Sequence, residues 1–290
     1  MALTEKLMLG TVQFGLAYGV ANKGGQVSYE EVLRILKTAH EHGVRTLDTA
    51  ISYGNSELVL GRALDELGLK QDFSIITKIR HLPQDLAPEA AEPTIRASVQ
   101  ESLQRLGLKR LYGILFHNEQ DARYLPLLAK LKAEGLVEHY GISLDSLAAA
   151  DAVYDCDFLQ VPGNILDTRF DAVKTTGRIF MRSAFLQGLL LMEAEDIPEG
   201  LRPFLPEIQA FEPIRRRLGL SRFEFHLRYN LSRPRISHVL FGVLDNAQLE
   251  GNIRAAEAGP LPPDVMAEIE AMRRPLPETL IRPSCWPRKA

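Results

Sequence analysis

The sequence predicts a (β/α)8 TIM barrel folded as a single domain over residues 1–290. Three observations lead there. Eight short runs rich in β-branched residues or leucine recur along the chain, and a helical pattern follows most of them. Strands that alternate with helices pair in parallel through right-handed crossovers. Eight such units in 290 residues suit a closed barrel better than an open doubly wound sheet. The glycine turn G-x-G-x-x-G that an open dinucleotide-binding sheet needs is also missing. "GTVQFGLAYG" (10–19) has other spacing, and no helix is expected directly after it. A dinucleotide, if bound, is not held in the Rossmann manner.

The elements follow in order. "KLMLG" (6–10) is the first strand. In "SYEEVLRILKTAHEHG" (28–43), Val32, Leu33, Ile35, Leu36 and Ala39 form an apolar stripe at helical spacing. Ser28 caps that helix, and Glu30 and Glu31 favour its first turn. "RTLD" (45–48) precedes "SELVLGRALDELG" (56–68), with Ser56 as the cap and Gly68 as the stop. "FSIITK" (73–78) precedes "EPTIRASVQESLQRLG" (92–107), with Pro93 near the first turn and Gly107 after the last. "YGILFH" (112–117) precedes the helix "LPLLAKLKAEG", and "EHYGIS" (138–143) precedes the helix "SLAAADAVY" (146–154). "DFLQV" (157–161) is followed by the weak helical segment "DTRFDAVK". "GRIFMRS" (177–183) leads into a proline-rich stretch, 191–213, expected to be a long functional loop on one barrel face. A helix over 221–231, the strand "SHVLFG" (237–242) and the helix "NAQLEGNIRAAEAG" complete the pattern.

Composition narrows the function. Hydrophobic residues make up 46% and charged residues 24%, ordinary for a globular protein with its own core. The net charge of −3 gives no bulk attraction to nucleic acid or anionic membrane. The run "RRR" at 215–217 reads as a solvated helix face, because no aromatics interleave it. Cys156 and Cys285 lack metal-ligand spacing, so no metal site is expected, and reduced thiols point to the cytoplasm. No apolar stretch reaches the ~18 residues of a membrane span, and the N-terminus lacks the apolar length of a signal peptide.

In a barrel of this kind, catalytic side chains stand at the carboxyl ends of the strands. Asp48 ends the second run, Lys78 the third and His117 the fourth, and Tyr53 lies on the loop after the second. Four groups able to move or bias a proton thus come from three consecutive units. A phenol titrates near ~10 and is a poor acid at neutral pH. An ammonium beside it favours the phenolate. Lys78 is placed to do this for Tyr53, Asp48 to hold Lys78, and His117 to orient a carbonyl oxygen or relay the proton. No side chain supplies hydride, so such a site needs a nicotinamide cofactor.

On these residues the chain resembles the aldo-keto reductase family. The similarity runs from "LGTVQFG" through "LDTAISYGNSE", "ITK", "LFHN", "GIS", "LQVPGNILD" and "RSAFLQGLL" to "FGVLDNAQLEGN". The resemblance implies Tyr53 as general acid in reduction and base in oxidation, with Asp48, Lys78 and His117 completing the catalytic set. It implies that Ser143 and Gln160 meet the nicotinamide carboxamide, and that Gly10 and Thr11 lie near the nicotinamide ribose. It implies that Arg182, Ser183, Leu186 and Gly188 belong to the strand end and loop over the cofactor, and that Gly242, Val243, Gln248 and Asn252 take the adenosine end. It implies NAD or NADP as the cofactor. The family's cations for the 2′-phosphate fall at Gly242 and Gln248, which favours NAD.

Three positions depart from the family pattern. Leu144 stands for an Asn at the carboxamide, Gly163 for a Tyr whose ring stacks on the nicotinamide, and Arg182 for an aromatic. Loss of a ring at Gly163 is expected to open space; either Arg182 enters it, or Arg182 turns away to a carboxylate or a cofactor phosphate. The expected function is nicotinamide-dependent reduction of an aldehyde, ketone or sugar carbonyl, reversibly, on a small-molecule substrate. The alternative is a redox-sensing regulatory protein of the same fold with a protein partner. A channel accessory subunit is a weaker third.

Overall fold

The computed structural model describes residues 2–18, 24–150, 153 and 155–286. Among them, eight parallel strands close into a barrel in chain order. They are β1 (Leu7–Gly10), β2 (Thr46–Asp48), β3 (Ser74–Lys78), β4 (Leu111–Phe116), β5 (Val137–Ser143), β6 (Phe158–Pro162), β7 (Arg178–Arg182) and β8 (Ile236–Gly242). Each run predicted from the sequence forms a strand.

Alternation along the strands builds the site. Met8, Ile76, Leu115, Phe158 and Phe180 point inward and form one buried apolar cluster inside the barrel. Side chains two residues apart on a strand share a face. The next inward layer toward the carboxyl end is therefore Gly10, Lys78, His117, Gln160 and Arg182. Register adds Asp48, which pairs with Gly10 on one side and Ile76 on the other. The apolar layer closes the barrel beneath, so this polar layer opens only upward.

The helices differ from expectation in places. A four-residue helix, α1 (Val12–Gly15), does follow β1 directly. On α2 (Tyr29–Glu41), the Ser28 hydroxyl accepts from the Glu31 amide, as its sequence position predicts. Ser56 does not cap α3 (Ser56–Glu66). Asn55 holds the cap position, and the Ser56 hydroxyl instead donates to the Thr11 carbonyl at 2.7 Å. Helix α4 (Pro88–Leu106) starts a turn early, because Pro88 suits the first turn, and Pro93 lies inside it. Gly107 ends it at φ 65°, a conformation that favours glycine. Helix α5 (Leu125–Ala133) follows β4.

The second half of the barrel has weaker helices. The helix expected over 146–154 is a 3₁₀ turn, Leu147–Ala149, in its described part, and residues 151, 152 and 154 lie outside the described residues. After β6 there is only the 3₁₀ turn Arg169–Ala172. The stretch 191–213, expected as an irregular loop, folds into short helical turns that include α6 (Leu205–Ile208), and α7 (Glu212–Arg217) closes it. Its prolines explain this. Pro206 and Pro213 sit at the starts of α6 and α7, where a missing amide costs nothing. Leu190, Ile197, Leu201, Phe211 and Ile214 bury against Phe225 of α8 (Arg222–Ser232) in a second apolar cluster. Helices α9 (Asn246–Glu257), α10 (Pro263–Met272) and α11 (Glu278–Ile281) follow β8. Among the described residues, no helix is long and apolar enough to cross a membrane.

Candidate active site

Asp48, Lys78 and Gln160 meet in the polar layer, each no more than 2% exposed. Lys78 Nζ donates to Asp48 Oδ2 at 2.7 Å and to the Thr49 carbonyl at 2.8 Å. Gln160 Nε2 donates to Asp48 Oδ1 at 2.7 Å. Both carboxylate oxygens are thus engaged, which a charge in this setting requires. Burial by itself would lower the pKa of Lys78, but the Asp48 carboxylate and the Tyr53 phenol outweigh it and raise the value. The ammonium therefore stays charged.

Tyr53 lies above this pair. Lys78 Nζ is 5.0 Å from its ring centroid, and the His117 ring meets it edge-on at 5.9 Å. Burial raises the Tyr53 pKa, and the Lys78 charge works against that rise. His117 is held well below the ordinary imidazole range, at about 3, by burial and then by Lys78. It is neutral at pH 7. His81 was not singled out in the sequence. It stacks on His117 at 4.8 Å, and its Nδ1 lies 2.8 Å from Asn118 Nδ2. Its signal was its place three residues after Lys78 on the same rim.

The expected cofactor residues spread along the same rim. Ser143 pairs with Gln160 in the β5–β6 register, next to the buried Leu144. The Gln160 amide, expected on a carboxamide, uses its NH2 on Asp48. The Thr11 hydroxyl is committed to the Asp48 carbonyl at 3.1 Å and to Ser56 Oγ at 2.9 Å, so it braces β2 from the end of β1, next to Gly10. Ser183, Leu186, Gln187 and Gly188 all have positive φ, from 47° to 92°. For three residues that are not glycine, this is costly backbone of the kind found at ligand clamps. Open space surrounds the Cβ position of Gly188. At the far end, Val243 is buried, Gln248 accepts from the Leu244 amide at 3.0 Å, and Asn252 Oδ1 is buried without a partner. Gln13 Oε1 is also unpartnered, and the Gln13 side chain fills the Cβ position of Gly242. Orphaned amides at one end and a strained loop at the other are what a long polar cofactor would satisfy, so these residues fit a dinucleotide.

One expectation is overturned. Gly163 does not open space over the site. It lies one residue past β6, where a Cβ would stand 2.7 Å from Met181 Sδ and 3.2 Å from Arg233 Nη1. Arg182 turns away from the site to a carboxylate, one of the two readings its sequence position left open. Its guanidinium pairs with the Asp145 carboxylate and donates to the Leu144 carbonyl at 3.1 Å. A Tyr at position 163, as in the family pattern, would therefore overpack the wall. Gly163→Tyr should cost about 1–3 kcal/mol of stability, read as a lower denaturant midpoint. A midpoint equal to the parent's would restore the idea of a vacated pocket.

Comparisons with known proteins bear on the family and the fold. A family model described as the aldo/keto reductase family matches residues 6–274. D-threo-aldose 1-dehydrogenase from a Pseudomonas species is 32% identical over 185 residues, which cover 51% of this chain and 56% of that protein. The chain thus spans only about half the length of that relative. L-galactose dehydrogenase from Arabidopsis thaliana is 25% identical over 300 residues, covering 93% of this chain and 92% of that one. Among solved structures, an aldo-keto reductase from Bacillus halodurans in its holo form superposes with a TM-score of 0.71 at 22% identity, covering 93% of this chain and 92% of that one. That likeness concerns the fold.

Proposed function

The chain belongs to the aldo/keto reductase family, and on that premise we propose that it moves a hydride between a nicotinamide cofactor and C1 of an aldose or a similar small carbonyl. The observation that carries this reading is the buried Lys78–Asp48 pair lying under Tyr53, with neutral His117 beside it. The names of two relatives, an aldose dehydrogenase and a galactose dehydrogenase, support a sugar lactol as substrate. The polar rim of Ser52, His81, His117 and Asn118 suits a hydroxyl-rich molecule. Cys156 and Cys285, both free thiols, support a reducing compartment such as the cytoplasm.

When bound, the nicotinamide supplies the hydride acceptor or donor that the side chains lack. Everything else falls to the protein. In oxidation the C1–H bond gives up a hydride, a C1–O double bond forms, and Tyr53 takes the hydroxyl proton as phenolate. In reduction the phenol returns that proton to oxygen. Lys78 holds the phenolate by charge, and Asp48 with Gln160 fixes Lys78. His117 carries no charge at neutral pH, so it orients the reacting oxygen by a hydrogen bond rather than by ionic attraction. The test is turnover: purified protein with an aldose series and each oxidised cofactor, followed by the absorbance of reduced nicotinamide. Turnover of at least one aldose is expected. No turnover of any aldose or simple aldehyde would overturn the reading.

NAD is the proposed partner rather than NADP. A 2′-phosphate wants a forked cation. Gly242 supplies none, Gln248 is occupied with the Leu244 amide, and Arg254 is largely exposed and paired with Glu250 at 3.6 Å. A 2′-phosphate partly desolvated there with no cation to meet it costs about 1–3 kcal/mol, which should leave NADH about ten-fold or more tighter than NADPH. Fluorescence titration with both measures it, and tighter NADPH would refute the assignment.

A further inference from the structure

Behind the Tyr53 turn lies an ion pair that the proposed chemistry does not use. Arg105, on α4, donates through Nη2 to the Gly54 carbonyl and lies with Nη1 3.5 Å from the Ile51 carbonyl. These two carbonyls bracket Tyr53. A guanidinium presents its donors in a fixed plane, so gripping both fixes the turn's orientation as well as its position. Arg105 Nε is 3.5 Å from Glu57 Oε2, an ionic contact and not a hydrogen bond, since neither atom has a hydrogen-bond partner, and Nη1 is 3.6 Å from Glu101 Oε1. Glu57 is fully buried in the first turn of α3. Its other oxygen, Oε1, accepts from the Thr77 hydroxyl at 2.7 Å. Thr77 immediately precedes Lys78 on β3.

One carboxylate thus joins the strand that carries Lys78 to the cation that holds the loop carrying Tyr53. Burying it is unfavourable unless it is paired, and an apolar residue would serve packing better. Neighbouring glycines make room for the arrangement. A Cβ at Gly61 on α3 would stand 2.7 Å from the Arg105 carbonyl, so the two helices meet only because it is absent. Gly15 of α1 abuts the Tyr53 carbonyl so closely that no side chain fits there. The turn is in contact with both α1 and Arg105.

We propose that Glu57 and Arg105 form a clamp that sets the distance between the Tyr53 phenol and Lys78, with Arg105 acting as a positioning residue for proton transfer. The proposal rests on the reading of Tyr53 as the proton carrier. If the clamp is removed, the turn relaxes outward and Tyr53 loses part of the Lys78 field.

The test uses the full chain as Arg105→Gln, Arg105→Lys and Glu57→Gln, each with thermal melting to confirm folding. Two readouts are taken. One is kcat and KM for the same aldose. The other is the ionisation of Tyr53, isolated by difference absorption against the Tyr53→Phe counterpart of each protein. In Arg105→Gln, kcat should fall about 10- to 100-fold with KM little changed, because small misplacements act on the reacting geometry. The Tyr53 titration should move to higher pH by about one unit, and Arg105→Lys should recover part of both effects. Glu57→Gln, which keeps the Thr77 bond but loses the charge, should shift both in the same direction by less. A folded Arg105→Gln protein with the parent's kcat and the parent's Tyr53 titration would overturn the clamp. A lower melting temperature with both of those unchanged would overturn it too. If the parent itself turns over no substrate, the functional reading fails, and the Tyr53 titration alone still decides the clamp.

Discussion

Replacing Tyr53 with Phe is expected to lower kcat by about 10²- to 10⁴-fold, the range that general acid–base groups contribute. The ring, its edge-on contact with His117 and its place over Lys78 all survive the change. Only the hydroxyl is lost, and the hydroxyl acts where charge develops on the substrate oxygen. Interactions made only in the transition state lower kcat and kcat/KM together, so cofactor affinity should stay within about two-fold of the parent's. The measurement pairs steady-state kinetics with cofactor titration. Parent-like turnover would remove Tyr53 from the chemistry, and lost cofactor binding would point to a scaffold role.

Lys78→Met is expected to harm both activity and stability, for separable reasons. The Lys78 charge counters the rise in the Tyr53 pKa that burial imposes. Without it the phenolate forms only at higher pH, and oxidation at neutral pH should slow by about 10²-fold or more. The change also strands Asp48, which is 1% exposed and would keep Gln160 as a partner but no cation. Breaking a buried pair from one side costs about 3–5 kcal/mol. Adding Asp48→Asn should therefore restore much of the stability and none of the activity. Denaturant melts and kinetics on the single and double variants give both answers. A double variant that regains turnover would mean that Lys78 served only to neutralise Asp48.

The sequence announced the barrel because its signals there are local. Each strand run carries its own β-branched or leucine-rich residues, and each end carries a polar residue at a countable place. Lys78, His117 and Gln160 could be read as rim groups because they lie two residues beyond Ile76, Leu115 and Phe158, and alternation fixes the face. The same parity carries the correction at Gly163. It stands three residues after Gln160, an odd step, so it faces outward to Met181 and Arg233. The expected opening over the nicotinamide ignored that count. Other misses were not local. Ser56 looks like a helix cap, yet its hydroxyl goes to Thr11, 45 residues away. That Arg182 turns to a carboxylate was legible, but that the carboxylate is Asp145, and that Arg105 meets the carbonyls beside Tyr53, emerges only once the barrel closes. The stretch 191–213 read as a loop because its prolines break periodicity. Those prolines instead start short helices, whose apolar residues bury against α8.

The most direct measurement follows the hydride itself. An aldose that the protein oxidises is prepared with deuterium at C1, incubated with protein and NAD⁺, and the recovered reduced cofactor is analysed by mass and by NMR. The expected result is deuterium from C1 bound to the nicotinamide ring, absent when Tyr53→Phe replaces the parent over the same interval. Reduced cofactor without deuterium, or deuterium transfer at an equal rate in Tyr53→Phe, would contradict direct hydride transfer governed by Tyr53 above Lys78 and Asp48.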